Sequence, residues 1–398
     1  MTITILKPET TAQVTEAVRW ALSAGEPLEI LGGGSRRGLG RPVRAAHGLD
    51  LSALSGIVAY EPEELVLTAL AGTPMATIRA LLAGRGQHLA FEPPEGGTLG
   101  GLVACGLAGP RRIAAGSARD HTLGIAGVSG RGEAYKGGGK VVKNVTGYDV
   151  PKLMAGSFGT LTALTEITVK VLPAPEDTAT LLLAGLDDSA AVAMLDRALR
   201  SPYEVSGAAH LPAAAAARSG VSAIAGAGGA VTLVRLEGFG PSVAARVAML
   251  REELRADAVL GRDESLALWR EVRDGACFGG VAADGPHLWK LSVPPAAGPS
   301  TVAVLRRTLD VEVFYDWGGG LVWLALPSDT AASDSAATIR SALTAGGHAT
   351  LVRAPEAVRA ATEVFQPLPE PLMALSRRVK ESFDPKGILN PGRMYAGL

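Results

Sequence analysis

LGGGSRRGLG, residues 31–40, and the glycine-dense run over residues 95–160 decide how this chain reads. The second stretch holds seventeen of the chain's fifty glycines. Its clearest pieces are GGTLGG at 96–101, GSARDHTLG at 116–124, and KNVTGYD followed by GSFGTL between 143 and 161. A glycine inside ordered structure costs about 0.5–1 kcal/mol relative to alanine. A chain that accepts this cost so often is bringing bare backbone N–H groups close to something. An extended anion with many acceptor atoms, such as a dinucleotide, fits that need. Ordinary tight turns explain any one of these loops, but not four of them in this order in one half of the chain. The second half has one comparable cluster, Gly318 to Gly320 between FYDW and LVWLAL, and that one reads as a hairpin turn.

Two common phosphate motifs are absent. From Gly33 the P-loop pattern would need Lys and Ser/Thr after Gly38, where Leu39 and Gly40 stand. From Gly32 the G-x-G-x-x-G fingerprint would need glycine at Arg37. The loops therefore belong to some other nucleotide-binding arrangement.

The 398 residues suffice for two or three domains, and 47% apolar with 19% charged content describes a soluble globular protein. A net charge of −1 argues against nucleic acid as main partner. The start has no basic segment followed by an apolar run, and no eighteen apolar residues run uninterrupted, so neither signal peptide nor membrane span is expected. Cys105 and Cys277 form no metal-ligand spacing and cannot hold an iron–sulfur cluster. Cys105, in LVACGLAG, reads as a packed thiol in a reducing, cytoplasmic compartment.

Apolar spacing predicts helices over 10–24 and 74–83 and strands over 28–31, 57–60, 65–71 and 161–172. The prolines and acids of 173–177 mark a boundary. Beyond it, strands are expected over 178–183, 231–236, 287–293, 311–315, 321–326 and 349–352, and helices over 189–199, 241–254, 300–309 and 332–344. This alternation suggests an antiparallel sheet with helices on one face, in two related βαβ-type halves. Residues 208–230 are ambiguous between helix and loop. The tail FDPKGILNPGRMY reads as a fixed, irregular path.

GGGS after a strand, PP-x-GGTLGG, G-x-x-RD-x-x-LG and GYD-x-x-x-L-x-x-GS-x-GTL together resemble the FAD-binding domain of the vanillyl-alcohol oxidase / p-cresol methylhydroxylase type. VACGLAGPRR, KNVTGYD, DWGG, AGGHAT and NPGRMY extend the resemblance along nearly the whole chain, to the FAD-binding E subunits of bacterial glycolate oxidase. The fold implied is α+β: a two-subdomain FAD-binding domain over 1–173, an α/β cap with an antiparallel sheet over 174–374, and a C-terminal segment, 375–398, returning to the flavin domain.

The resemblance also implies roles. Gly32, Gly33, Gly34, Ser35 and Arg36 would cradle the pyrophosphate. Thr98, Leu99, Gly100 and Gly101 would line the flavin-phosphate side. Arg119 and Asp120 would shape a loop near the flavin. Gly156, Ser157, Gly159 and Leu161 would pack along the cofactor, with Ala163 near the adenine, and Asn390 would close over the flavin. Relatives that bind flavin covalently use a His or Cys near the first or second loop; here the nearest histidines are His47 and His88, so noncovalent FAD is expected. Thr162 stands where glycine is typical.

Catalytic residues are not assigned. His121 and Tyr148 are the candidates left, beside structural readings of both. The implied function is a subunit supporting oxidation of glycolate, a small 2-hydroxy acid, to glyoxylate, with a D-type FAD subunit and an iron–sulfur F subunit as partners. It would be cytoplasmic, with peripheral attachment to the inner face of the membrane through those partners left open. The alternatives are a self-sufficient FAD-dependent oxidase of a 2-hydroxy acid or alcohol, and a scaffold that has lost FAD.

Overall fold

The computed structural model describes residues 3–140, 147–279, 285–330 and 332–398, the side chains of 332–334 excepted. Residues 143–146 of the KNVTGYD motif lie outside the described residues. The chain divides into two units. The first comprises Met1–Ala108, Gly116–Pro173 and Pro367–Leu398; the second comprises Gly109–Ala115 and Ala174–Gln366. Residues 109–115 thus leave the first segment expected from the sequence, and the C-terminal return begins at Pro367.

In the first unit β1 (Thr4–Leu6), β2 (Leu28–Leu31) and β3 (His47–Asp50) form a parallel sheet in the order β1-β3-β2. The helix Thr11–Ala24 connects β1 to β2. The Thr10 hydroxyl caps it by accepting from the Gln13 N–H at 3.2 Å, and Gly25, at φ +70°, ends it. Its buried stripe, Val14, Val18 and Ala21, packs in one cluster with Leu28, Leu49 and Leu51.

β4 (Ile57–Glu61), β5 (Val66–Leu70), β6 (Gln87–His88), β7 (Thr122–Ser129), β8 (Ala134–Gly138), β9 (Thr162–Lys170) and β10 (Leu172–Pro173) follow. Five of them make an antiparallel sheet, β4-β5-β9-β7-β8, and β6 pairs with β10. The helices Met75–Ala83 and Leu99–Ala104 share a core with this sheet around Leu67, Phe91 and Ile167, all fully buried. A side chain of that kind contributes about 1.5–3 kcal/mol on burial.

The glycine count misled in one respect. β7 and β8 lie inside the glycine-dense run and were not expected as strands. Their glycines serve close backbone packing: a Cβ at Gly124 would lie 2.8 Å from the Gly139 carbonyl oxygen, and one at Gly127 2.7 Å from Thr162 Oγ1. The C-terminal tail completes the unit. The Leu28 N–H donates to the Ile388 carbonyl at 2.8 Å and the Asn390 N–H to the Leu28 carbonyl at 3.0 Å, so the tail runs along the open edge of β2.

The second unit holds β11 (Asp177–Ala184), β12 (Val205–Leu211), β13 (Val231–Gly238), β14 (Ala258–Leu260), β15 (His287–Ser292), β16 (Glu312–Asp316), β17 (Leu321–Leu326) and β18 (His348–Arg353). They form one antiparallel sheet, β14-β11-β13-β12-β16-β17-β15-β18. Each half is a βαββαβ unit with its first strand between the third and fourth, and the halves meet where His210 of β12 pairs with Tyr315 of β16. The helices Asp188–Leu199 and Gly240–Leu254 bury Leu195, Leu250 and Leu254 against one half, and Gly298–Leu305 and Ala332–Ser341 bury Val302, Leu305 and Ile339 against the other. The expectation of helices on one face needs correction. The helix Arg262–Asp274 sets Trp269 beside Arg235 and bonds its indole N–H to Thr180 Oγ1 at 2.9 Å, on the side of β11 and β13 opposite Leu181 and Val234. Residues 208–230 resolve into the end of β12 and two short helices, Ala213–Ala216 and Ser222–Ala225.

Candidate functional site

The first unit holds a pocket, partly open to solvent, where the two glycine loops face each other. β2 delivers the first loop. Gly32 touches the second: a Cβ there would sit 2.6 Å from Thr98 Oγ1. Gly33 and Gly34 follow at φ +81° and +75°, a conformation other residues enter only with strain. The N–H groups of Gly34 and Ser35 have no hydrogen-bond partner among the described residues. The Gly33 N–H reaches Asp50 Oδ1 at 3.4 Å.

The second loop is held from behind. Thr98 caps the helix Leu99–Ala104 by accepting from the Gly101 N–H at 3.2 Å. The N–H groups of Leu99 and Gly100 donate to the carbonyls of Thr73 and Ala71 at 3.0 and 2.7 Å. Those two amides are therefore committed to the fold, and the loop presents Thr98, Gly100 and Gly101 to the cavity as a close-fitting surface.

The third wall comes from Phe158 and Gly159, tied in by the tail. Asn390, at φ +42°, accepts from the Ile30 N–H at 2.8 Å through Oδ1 and donates to the Phe158 carbonyl at 2.7 Å through Nδ2. One amide side chain thus bridges β2 and the 156–160 loop. A Cβ at Gly159 would lie 2.8 Å from that Nδ2, which requires glycine at this position.

The cavity is cationic. Arg36, Arg37 and Arg393 line it, and among the described residues no carboxylate does. Arg36 donates to the Glu95 carbonyl at 3.0 Å, joining the two glycine loops, and Arg393 donates to the Arg36 carbonyl at 2.9 Å. Arg37 pairs with buried Glu29 through bonds of 2.9 and 2.5 Å. Cys105 also lines the wall; burial pushes its thiol up to about 11 against the opposing pull of Arg393 and Arg36, so it stays protonated. Two amide donors in a glycine loop, the guanidiniums of Arg36 and Arg393, and walls of glycine and apolar side chains suit a dinucleotide pyrophosphate.

Not every residue expected at the site lies there. Gly32, Gly34, Ser35, Arg36, Thr98, Gly100, Gly101, Gly159 and Asn390 line the cavity. Gly33 turns the loop from outside the lining. Leu99, Leu161 and Ala163 are buried in the cores. Gly156, at φ +85°, turns the third loop, its N–H bonded to the Val103 carbonyl at 3.0 Å; Ser157 is buried with its hydroxyl unpartnered. Arg119 is exposed, and Asp120 closes a capping box, accepting from the Ser117 N–H at 2.8 Å. The Ser117 backbone bond holds its carboxyl below the usual range.

Neither catalytic candidate lines the cavity. His121 is buried against Phe91, with Nδ1 3.3 Å from the Lys170 carbonyl oxygen. Tyr148 is 94% exposed. His47 packs edge-on against Trp20, and His88 lies in β6. Sequence reasoning missed Arg393 and Phe158. Arg393 stood in the quoted NPGRMY motif, three residues past Asn390, and Phe158 in the quoted GSFGTL, where it fell at the unspecified position.

Residues 3–138 match a family model described as FAD binding domain, and residues 360–394 one described as FAD linked oxidases, C-terminal domain. The chain is 38% identical over 387 residues to glycolate oxidase subunit GlcE of Escherichia coli (strain K12), covering 96% of this chain and 97% of the relative. Among solved structures it resembles 4-ethylphenol oxidase from Gulosibacter chungangensis, with TM-score 0.73 and 17% identity over 98% of this chain and 89% of that one. It also resembles p-cresol methylhydroxylase, with TM-score 0.71 and 16% identity over 98% and 88%.

Proposed function

We propose, for a chain that belongs to the glycolate oxidase subunit GlcE family of FAD-linked oxidoreductases, that it is the FAD-binding subunit of a multi-subunit glycolate oxidase. In this reading it supports oxidation of glycolate to glyoxylate and relays electrons within the complex. Its cofactor is FAD, which when bound takes two electrons and releases them singly. The observation carrying the accessory role is the composition of the cavity wall, with amides and guanidiniums for a diphosphate but, among the described residues, no His, Tyr, Asp or Glu to serve as a base.

The residues take these parts. The Gly34 and Ser35 amides, with Gly32, Gly33 and Arg36, hold the pyrophosphate. Thr98, Gly100 and Gly101 press against the flavin-phosphate side, and Leu99 anchors their helix in the core. Gly156 and Gly159 let the third loop approach the cofactor, Ser157 offers its hydroxyl from behind, and Asn390 fixes that loop to β2. Leu161 and Ala163 shape the floor from the core side, and Arg119 and Asp120 set the turn before β7. In this reading binding is noncovalent, since no histidine among the described residues lines the cavity.

Electrons leave to another subunit. The reading assigns a D-type flavoprotein and an iron–sulfur subunit as partners, in the cytoplasm. No described helix is long and apolar enough to cross a membrane, so attachment to one would run through those partners.

Reconstitution tests this. The purified FAD-loaded chain is mixed with glycolate and a dye acceptor, alone and then with the two partners. Turnover only with the partners is expected. Turnover by the chain alone would transfer the case to a self-sufficient oxidase, and a colourless protein that gives no spectral change with FAD would point to a scaffold.

A further inference from the structure

We propose that Lys380 is a positioning residue for the flavin site, holding residues 384–393 as a latch across the cavity wall. This rests on reading that cavity as the FAD site. Lys380 sits in the last turn of the helix Glu370–Phe383 and is its one buried residue among those described, 8% exposed. An apolar side chain would hold the helix down at lower desolvation cost. The ammonium instead serves geometry.

Its three N–H donors each meet an oxygen: the Thr160 carbonyl at 2.7 Å, the Leu389 carbonyl at 2.8 Å and Asp384 Oδ2 at 2.6 Å. Asp384, 1% exposed, accepts in turn from the N–H groups of Ile388 at 3.1 Å and Leu389 at 2.8 Å. One ammonium therefore pins both the 156–160 loop and the tail, the two segments that Asn390 joins one residue further on. Burial lowers the Lys380 pKa while Asp384 opposes, and the full set of acceptors suits the charged form. Without the ammonium, the direct tie between the Thr160 and Leu389 carbonyls is lost, and the Asn390 bridge must hold the two segments without it. Asn390 and Phe158 then lose their register, and the wall opens toward bound FAD.

The test uses the full chain loaded with FAD. Lys380→Met alone strands a buried carboxylate, so Lys380→Met/Asp384→Asn is made beside it; Asn390→Ala is added to each. FAD release on dilution is followed by flavin fluorescence, and unfolding of the FAD-free protein is measured separately. Expected are about tenfold faster release from the double variant and an FAD-free unfolding midpoint within about 5 °C of wild type. Asn390→Ala should then add little, because both changes act on one linkage. Release at the wild-type rate overturns the proposal, as does a rate rise matched by equal loss of FAD-free stability, or effects of Lys380 and Asn390 that multiply. Wild-type protein that holds no FAD would instead overturn the cofactor reading itself.

Discussion

Replacing Asn390 by alanine removes both hydrogen bonds that join β2 to the third cavity loop. The Ile30 N–H loses its acceptor at 2.8 Å and the Phe158 carbonyl its donor at 2.7 Å. A buried donor left unsatisfied costs about 1–3 kcal/mol. The backbone at φ +42° adds roughly 1 kcal/mol for alanine, which tolerates the left-handed region less well than asparagine. A loss of about 3 kcal/mol follows, which in a unit of this size lowers the unfolding midpoint by about 6–12 °C. Asn390→Gly separates the two contributions: it loses the same bonds without the conformational cost and should melt between wild type and the alanine variant. Differential scanning fluorimetry of the FAD-free proteins measures this, and FAD titration of the three measures the accompanying loss of affinity. An alanine variant that melts within about 1 °C of wild type and binds FAD equally well would refute the bridging role.

Three further outcomes follow from the same geometry. Gly32→Val, whose Cβ would meet Thr98 Oγ1 at 2.6 Å, should drive the two glycine loops apart and abolish FAD binding while the second unit keeps its structure; retained flavin in the purified variant would count against the assignment. Burial alone would raise the Glu237 carboxyl, but Arg235 and Arg111, the latter at 2.7 and 2.8 Å, hold it far below the usual range. Its stabilising effect is therefore complete above the ordinary carboxylate value and lost only as pH falls through the depressed one. Glu237→Gln should cost about 3–5 kcal/mol at pH 7, and the gap in unfolding midpoint should close in strong acid; a pH-independent gap would sink this. The Cys105 thiol, pushed up to about 11, should react slowly with iodoacetamide at pH 7, faster toward pH 10, and more slowly again with FAD present; peptide mapping follows it separately from Cys277.

How much could be read from the chain depended on whether the deciding contacts were local. The helix Thr11–Ala24 carries its own cap, stripe and C-terminal glycine, and β2 and the helix Met75–Ala83 were legible for similar reasons. The hairpin at Gly318 to Gly320 was too. β7 was not, because its glycines answer to β9 and to Gly139 across the sheet, a demand invisible in one dimension. The helix Arg262–Asp274 was missed because its buried face is small: Ser265, Leu268, Trp269, Val272 and Arg273 among charged residues. The first glycine loop, a run of adjacent glycines after a strand, lines the cavity with Gly32, Gly34, Ser35 and Arg36. Leu99, Leu161 and Ala163 were named because they sit inside a motif, and a motif does not reveal which of its side chains turn toward the core. Lys380 lay outside every quoted motif, and its three acceptors are brought together only by the returning tail.

Titration of the FAD-free full chain with FAD, followed by visible absorbance and flavin fluorescence and closed by acid precipitation, tests the central claim most directly. The account predicts saturation at one FAD per chain, a perturbed flavin spectrum, and all of the flavin recovered in the acid supernatant. No spectral change at any FAD concentration would contradict the site, and flavin remaining in the pellet would contradict noncovalent binding.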